Sequence, residues 1–162
     1  MSARVKCFRL AVILAMLLSG CATSTLSGVG QPVFGANGTD ACAVLSKAEV
    51  AKALGEQLDE PIGEQEMGSY GCTYTPLAAS NNSVAIELSP GSAFPQRKRY
   101  FVAQGGRPVS GIGDEALAKA GAILTLQRNT IVYLVLLHDG WDEQRCFAAA
   151  RPLILDALAR VP

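Results

Sequence analysis

His138 is the only histidine in this 162-residue chain. With a serine nucleophile and an orienting carboxylate, an imidazole can serve as the general base of a hydrolase. Asp139, Asp142 and Asp114 are the candidate acids, but no Gly-x-Ser-x-Gly elbow supplies the nucleophile. His138-Asp139-Gly140 also stands where an apolar run ends and a helix begins, and a solvated turn has the same composition. Cys42, Cys72, Cys146 and His138 are the residue types of a zinc site, yet no pair has the close spacing of structural zinc motifs. Gly111-Ile112-Gly113-Asp114-Glu115-Ala116 echoes a phosphate-binding glycine loop. A dinucleotide fingerprint needs a strand before it and an amphipathic helix after it, and that context is missing. The glycines instead suit a tight turn with positive φ. These residues lead to the expectation of no catalytic centre, no metal and no cofactor.

Charge is unevenly spread. Residues 40–91 carry eight acids against two bases, whereas 92–162 carry six against nine. Arg97, Lys98 and Arg99 form the one basic cluster, with Glu56, Asp59, Glu60, Glu64 and Glu66 as its acidic counterpart. The basic run is a candidate surface for lipid headgroups, anionic glycans or an acidic partner, and equally a solvated helix face. The acidic run lacks the Asp-x-Asp-x-Asp-Gly order of a calcium loop. Formal net charge is zero. Without Arg4, Lys6 and Arg9, the remainder is acidic, which excludes the basic surface of a nucleic-acid binder.

Several elements are legible in residues 40–162. Ser46 followed three residues later by Glu49 is a capping box, Leu45 and Val50 fit a hydrophobic staple, and Gly55 is placed to end a helix over 47–54. Strands are expected over 71–76 and 83–89, the latter with Val84, Ile86 and Leu88 in alternation. Pro95 in the first turn and Gly105 past the end frame a second helix. Residues 122–128 and 130–138 form another strand pair around Arg128-Asn129, and the second of these is apolar on both faces, as a central strand is. A last helix begins near Asp142, and Pro152 should kink or split it. Short strand-to-strand links force antiparallel pairing. The expected fold is therefore α+β, an antiparallel sheet with helices packed on one face. The repeated order of hairpin then helix suggests two similar ββα halves.

The N-terminus carries an address. Arg4, Lys6 and Arg9 precede an uncharged run, Leu10 to Leu18, which is the layout of a secretory signal and far short of the ~20 residues of a membrane-spanning helix. Leu18-Ser19-Gly20-Cys21 resembles the lipobox of bacterial lipoproteins. The resemblance implies a signal peptide over 1–20, a diacylglycerol on the sulfur of Cys21, and Cys21 as the mature N-terminus. Two or more acyl chains anchor a protein stably. Ala22, where an aspartate tends to retain such proteins in the inner membrane, implies the outer membrane of a diderm envelope; with a single membrane, the outer face of the plasma membrane takes its place. Residues 22–39 are uncharged and rich in Gly, Ser and Thr, and read as a tether reaching roughly 20–25 Å. The organisation is thus signal peptide 1–20, lipidated cysteine and tether 21–39, and one domain over 40–162.

The domain itself resembles an uncharacterised family of small bacterial lipoprotein domains. The residues that carry the resemblance are Asp40-Ala41-Cys42, the capped helix ending in Leu54-Gly55, Cys72-Thr73-Tyr74 and the turn Gly111-Ile112-Gly113-Asp114-Glu115-Ala116. Of the five cysteines, Cys7 leaves with the signal and Cys21 is consumed as a thioether, so Cys42, Cys72 and Cys146 remain in an oxidising compartment. Three pairings are possible. Cys42 lies just before the capped helix and Cys72 opens the strand expected beneath it, which favours their pairing, and the family resemblance places a cysteine pair at the same two positions. Cys146 then reads as a buried thiol. The function expected is a non-enzymatic interaction or ligand-binding module, held to a membrane by its lipid and facing an envelope protein or ligand. Two alternatives are an envelope hydrolase using His138 and a passive structural component.

Overall fold

The computed structural model describes residues 40–66, 68–78 and 80–161, so the signal peptide expected over 1–20, Cys21 and the tether expected over 22–39 fall outside the described residues. Seven antiparallel strands form one sheet: β1 (Ile62–Glu66), β2 (Ser69–Tyr74), β3 (Ser83–Pro90), β4 (Arg107–Val109), β5 (Glu115–Lys119), β6 (Ala122–Gln127) and β7 (Thr130–Leu137). Their order across the sheet is β1-β2-β3-β7-β6-β5-β4. Three helices complete the α+β fold: α1 (Lys47–Leu54), α2 (Phe94–Ala103) and α3 (Glu143–Arg160).

Local signals account for most of these elements. Ser46 and Glu49 form the expected reciprocal capping box, and Gly55 ends α1 in the left-handed region at φ 73°. Arg128 and Asn129 both take positive φ, the geometry of a tight turn between β6 and β7. Strand β7 is fourth of seven and buried on both faces for most of its length, as its unbroken apolar run requires. Gly111 and Gly113 take φ 74° and 57°, and the turn they make runs directly into β5. A Cβ at Gly113 would lie 2.4 Å from Thr125 Oγ1 and 2.6 Å from Leu126 O, so only glycine fits there.

Cross-strand register divides the sheet into two faces. Cys72, Ile86 and Leu134 share one with Ile123, and there α1 and α3 close the main core. The opposite face presents Leu117, Leu124 and Ile131, which Phe94 and Phe101 of α2 cover. Helices were expected on one face only; the second helix lies on the other. The reason is that α3 already fills the main-core side of β5–β7, leaving the apolar residues of the reverse side for α2 to bury. The two ββα halves fail for the same reason. A twofold relating antiparallel neighbours β3 and β7 preserves faces, whereas α2 and α3 occupy opposite ones.

Helix α3 passes through Pro152 unbroken. Pro152 and Ala148, whose carbonyl loses its donor, both lie on the exposed side, while Ala150, Leu153, Ile154 and Ala157 pack inward. Tertiary packing thus outweighs the helix-breaking preference. Strands β1, β4 and β5 add to the two hairpins legible in the sequence.

Candidate functional site

Because α2 covers only the β5–β7 portion of its face, the same face of β1, β2 and β3 stays open. Glu64, Gly71, Glu87 and Tyr133 stand side by side across four strands in one register row. Gly71 has no side chain, and a Cβ there would meet nothing closer than 3.8 Å. The row is therefore hollow between its two glutamates. Thr73 and Ala85, one row along, keep the floor low. The result is an open cavity of about 450 Å³, walled by Glu64 and Glu66 on the edge strand and by Arg97 of α2. A second cavity of about 490 Å³ lies along α2, between Gln96, Tyr100 and Gln104 on the helix and Leu124 beneath. The two meet at Arg97 and Tyr133, which line both. Together they form one trough, acidic at β1 and aromatic at α2. Each cavity has the size of a small-molecule pocket.

Side chains at the junction are held firmly. Arg97 bonds Glu87 at 2.5 Å and Ser69 Oγ at 3.3 Å. Phe101 and Tyr133 meet edge to face, centroids 6.1 Å apart. Burial, and then the Glu87 charge, pushes the Tyr133 phenol above its ordinary range, so its hydroxyl remains a neutral donor and acceptor. Glu64 and Glu66 are exposed, and among the described residues no ion pair engages either.

The basic cluster divides on folding. Arg97 pairs with Glu87, Lys98 pairs with Glu115, and Arg99 is exposed on the outside of α2. Two of the three charges are therefore met within the molecule, leaving less positive field than the sequence run suggests. Cys42 and Cys72 are bridged, with sulfurs 2.07 Å and Cα atoms 5.1 Å apart, which removes both from the zinc-type set. Cys146 is buried on α3.

His138 closes the end of β7. Its Nδ1 lies 2.8 Å from Asp139 O and, since a carbonyl only accepts, Nδ1 carries the proton. Nε2 faces Glu56 Oε1 at 3.7 Å, and the ring stacks on Trp141 at 3.8 Å with Arg145 over the indole. The acids proposed for it are placed elsewhere. Asp142 caps α3 by accepting from Arg145 N, Asp114 accepts from Arg128 N, and Asp139 accepts from Asn81 Nδ2. Asn82, nearly buried, donates to Glu56 and accepts from Asp139 N, joining the loop after α1 to the β7–α3 turn. The groups around His138 thus fasten three loops together.

The sequence shows Glu64 and Glu66 only as members of the acidic run, and it marks neither Glu87 nor Tyr133. The signal that could have set the first two apart is their i and i+2 spacing in Ile62-Gly63-Glu64-Gln65-Glu66, which places two carboxylates on one side if the segment is a strand. Compared with known proteins, the chain matches no family model, no curated protein and no solved structure.

Proposed function

We propose that this chain is a membrane-anchored envelope lipoprotein whose domain is a non-enzymatic ligand-binding module. The observation that carries the binding role is the trough: an open, partly aromatic concavity on the sheet, lined by charged and hydroxyl groups. The anchoring role rests on Leu18-Ser19-Gly20-Cys21 behind a short apolar run. Its resemblance to a lipobox, and that of the domain to small bacterial lipoprotein domains, supports an envelope location. A tether of the length of 22–39 then sets the trough just off the membrane surface, open to soluble or headgroup-borne ligands.

Two measurements test the reading. Metabolic labelling with an alkynyl fatty acid should mark the wild-type chain and not Cys21→Ala, which should be released from membranes or remain unprocessed. An unlabelled wild-type chain, or a variant that matures normally and resists alkaline washing, refutes the anchor. Photo-crosslinking in intact cells from position 64 or 100 should trap a ligand or partner at the trough. Adducts confined to other faces refute the binding role assigned to it.

A further inference from the structure

The occupant of the trough can be narrowed from its lining. At one end, Glu64 and Glu66 lie on the same side of an edge strand, both exposed, with no ion-pair partner among the described residues. In the middle, the Arg97–Glu87 pair cancels its own charge. At the other end the surfaces are aromatic: Tyr133 and Phe101 in mutual contact, and Tyr100, 69% exposed, on the helix above. The lining charges therefore sum to a negative site at one end and a near-neutral, ring-lined one at the other. An anion is repelled from the first. A purely apolar molecule leaves the carboxylates unmatched.

We propose that the trough binds a small organic cation with an aromatic body, its charge between Glu64 and Glu66 and its ring against Tyr133 and Tyr100. The inference rests on the ligand-binding reading above and adds the class of ligand. Coulomb attraction to two carboxylates, only partly screened over a concave surface, selects the sign of the charge. Aromatic rings at the α2 end take the body by offset or edge contact. Gly71 is what makes room. Any side chain there would stand in the hollow between Glu64 and Glu87, while its Cβ would meet only ordinary van der Waals contacts.

The test uses the mature lipidated chain in phosphatidylcholine nanodiscs, with empty nanodiscs as the blank. Ligand-observed NMR titrations compare 6-phenylhexylammonium, 6-phenylhexan-1-ol and 6-phenylhexanoate, which share one aromatic body and differ in charge; the long spacer, with the reach of the glutamate and tyrosine side chains, bridges the three inter-strand spacings, roughly 14 Å, from β1 to β7. The cation should bind saturably and about tenfold more tightly than the alcohol, with the anion weakest. Glu64→Gln/Glu66→Gln should bring the cation down to the affinity of the alcohol and leave the alcohol unchanged. Tyr100→Ala should weaken cation and alcohol alike. Gly71→Val should abolish binding of both while the chain unfolds at its usual denaturant midpoint.

Equal affinity for the three probes, a preference for the cation that survives Glu64→Gln/Glu66→Gln, or no saturable binding overturns the proposal. If photo-crosslinking still traps a ligand or partner at the trough in those cases, the binding module stands and only the ligand class is wrong.

Discussion

Opening the Cys42–Cys72 bridge is a direct test of how residues 40–74 are held. The disulfide joins the 3-10 turn at Ala41–Ala43 to strand β2 across a sequence separation of 30 and encloses all of α1 and β1. In the chain-entropy treatment, a loop of that length restricts the unfolded chain by about 3.5 kcal/mol. Cys72 is 1% exposed and sits in the main core, so alanine is the substitution of choice; serine would bury a hydroxyl. Cys72→Ala adds a small cavity term of about 1 kcal/mol, for a total near 4–5 kcal/mol. In a domain of this size, losing the bridge alone corresponds to roughly 10–15 °C in melting temperature. The assay is urea unfolding followed by fluorescence of Trp141, the only tryptophan, on oxidised and reduced wild type and on the variant. Reductant should destabilise the wild type by about 3.5 kcal/mol and leave the variant unchanged. A wild type insensitive to reductant, or a non-reducing peptide map that joins either cysteine to Cys146, refutes the reasoning.

Tyr74 is fully buried, and its hydroxyl donates to Leu45 O at 2.6 Å with Cys42 O at 3.3 Å, while burial raises its pKa to about 12. Tyr74→Phe should cost about 1–3 kcal/mol in urea unfolding, because buried carbonyls lose their donor; a loss below ~0.5 kcal/mol would contradict the assigned bond. Gly113→Ala should destabilise by more than about 1 kcal/mol, through its positive φ and the clash with Thr125 and Leu126 O, whereas Gly55→Ala meets only the φ penalty. The order of those two effects is measured by thermal melts. The Arg160 guanidinium, followed by the Ser46 backbone amide, holds the Glu49 carboxyl down at about 2, against an ordinary value of 4.5. A depressed folded-state pKa stabilises the fold above about pH 4.5, and that contribution fades as pH falls toward 2. Stability curves between pH 2 and 6 should therefore be shallower in Glu49→Gln than in wild type, and curves of identical slope would disprove the link.

What the sequence determined by itself is everything that short-range physics can state. The caps of α1, the tight turn at Arg128-Asn129 and the burial of β7 follow from residues within a few positions of one another. The classification as α+β with an antiparallel sheet follows from them, because short links between strands leave no other pairing. Strand β1 was not legible, since all five of its residues are exposed and an edge strand wet on both faces carries no apolar alternation. Nor was the side taken by α2. An apolar stripe on a helix says that one face is buried, but the choice between sheet faces depends on which is already filled, here by α3. The trough was decided entirely at that level. Glu64, Gly71, Glu87 and Tyr133 come from four strands, and only the register of three ladders sets them in one row. The Arg97-Lys98-Arg99 run showed its charge in sequence and hid its partners, because Glu87 and Glu115 reach it only after α2 folds over the sheet. Local chemistry writes the elements; a surface assembled from distant segments exists only once those elements have packed.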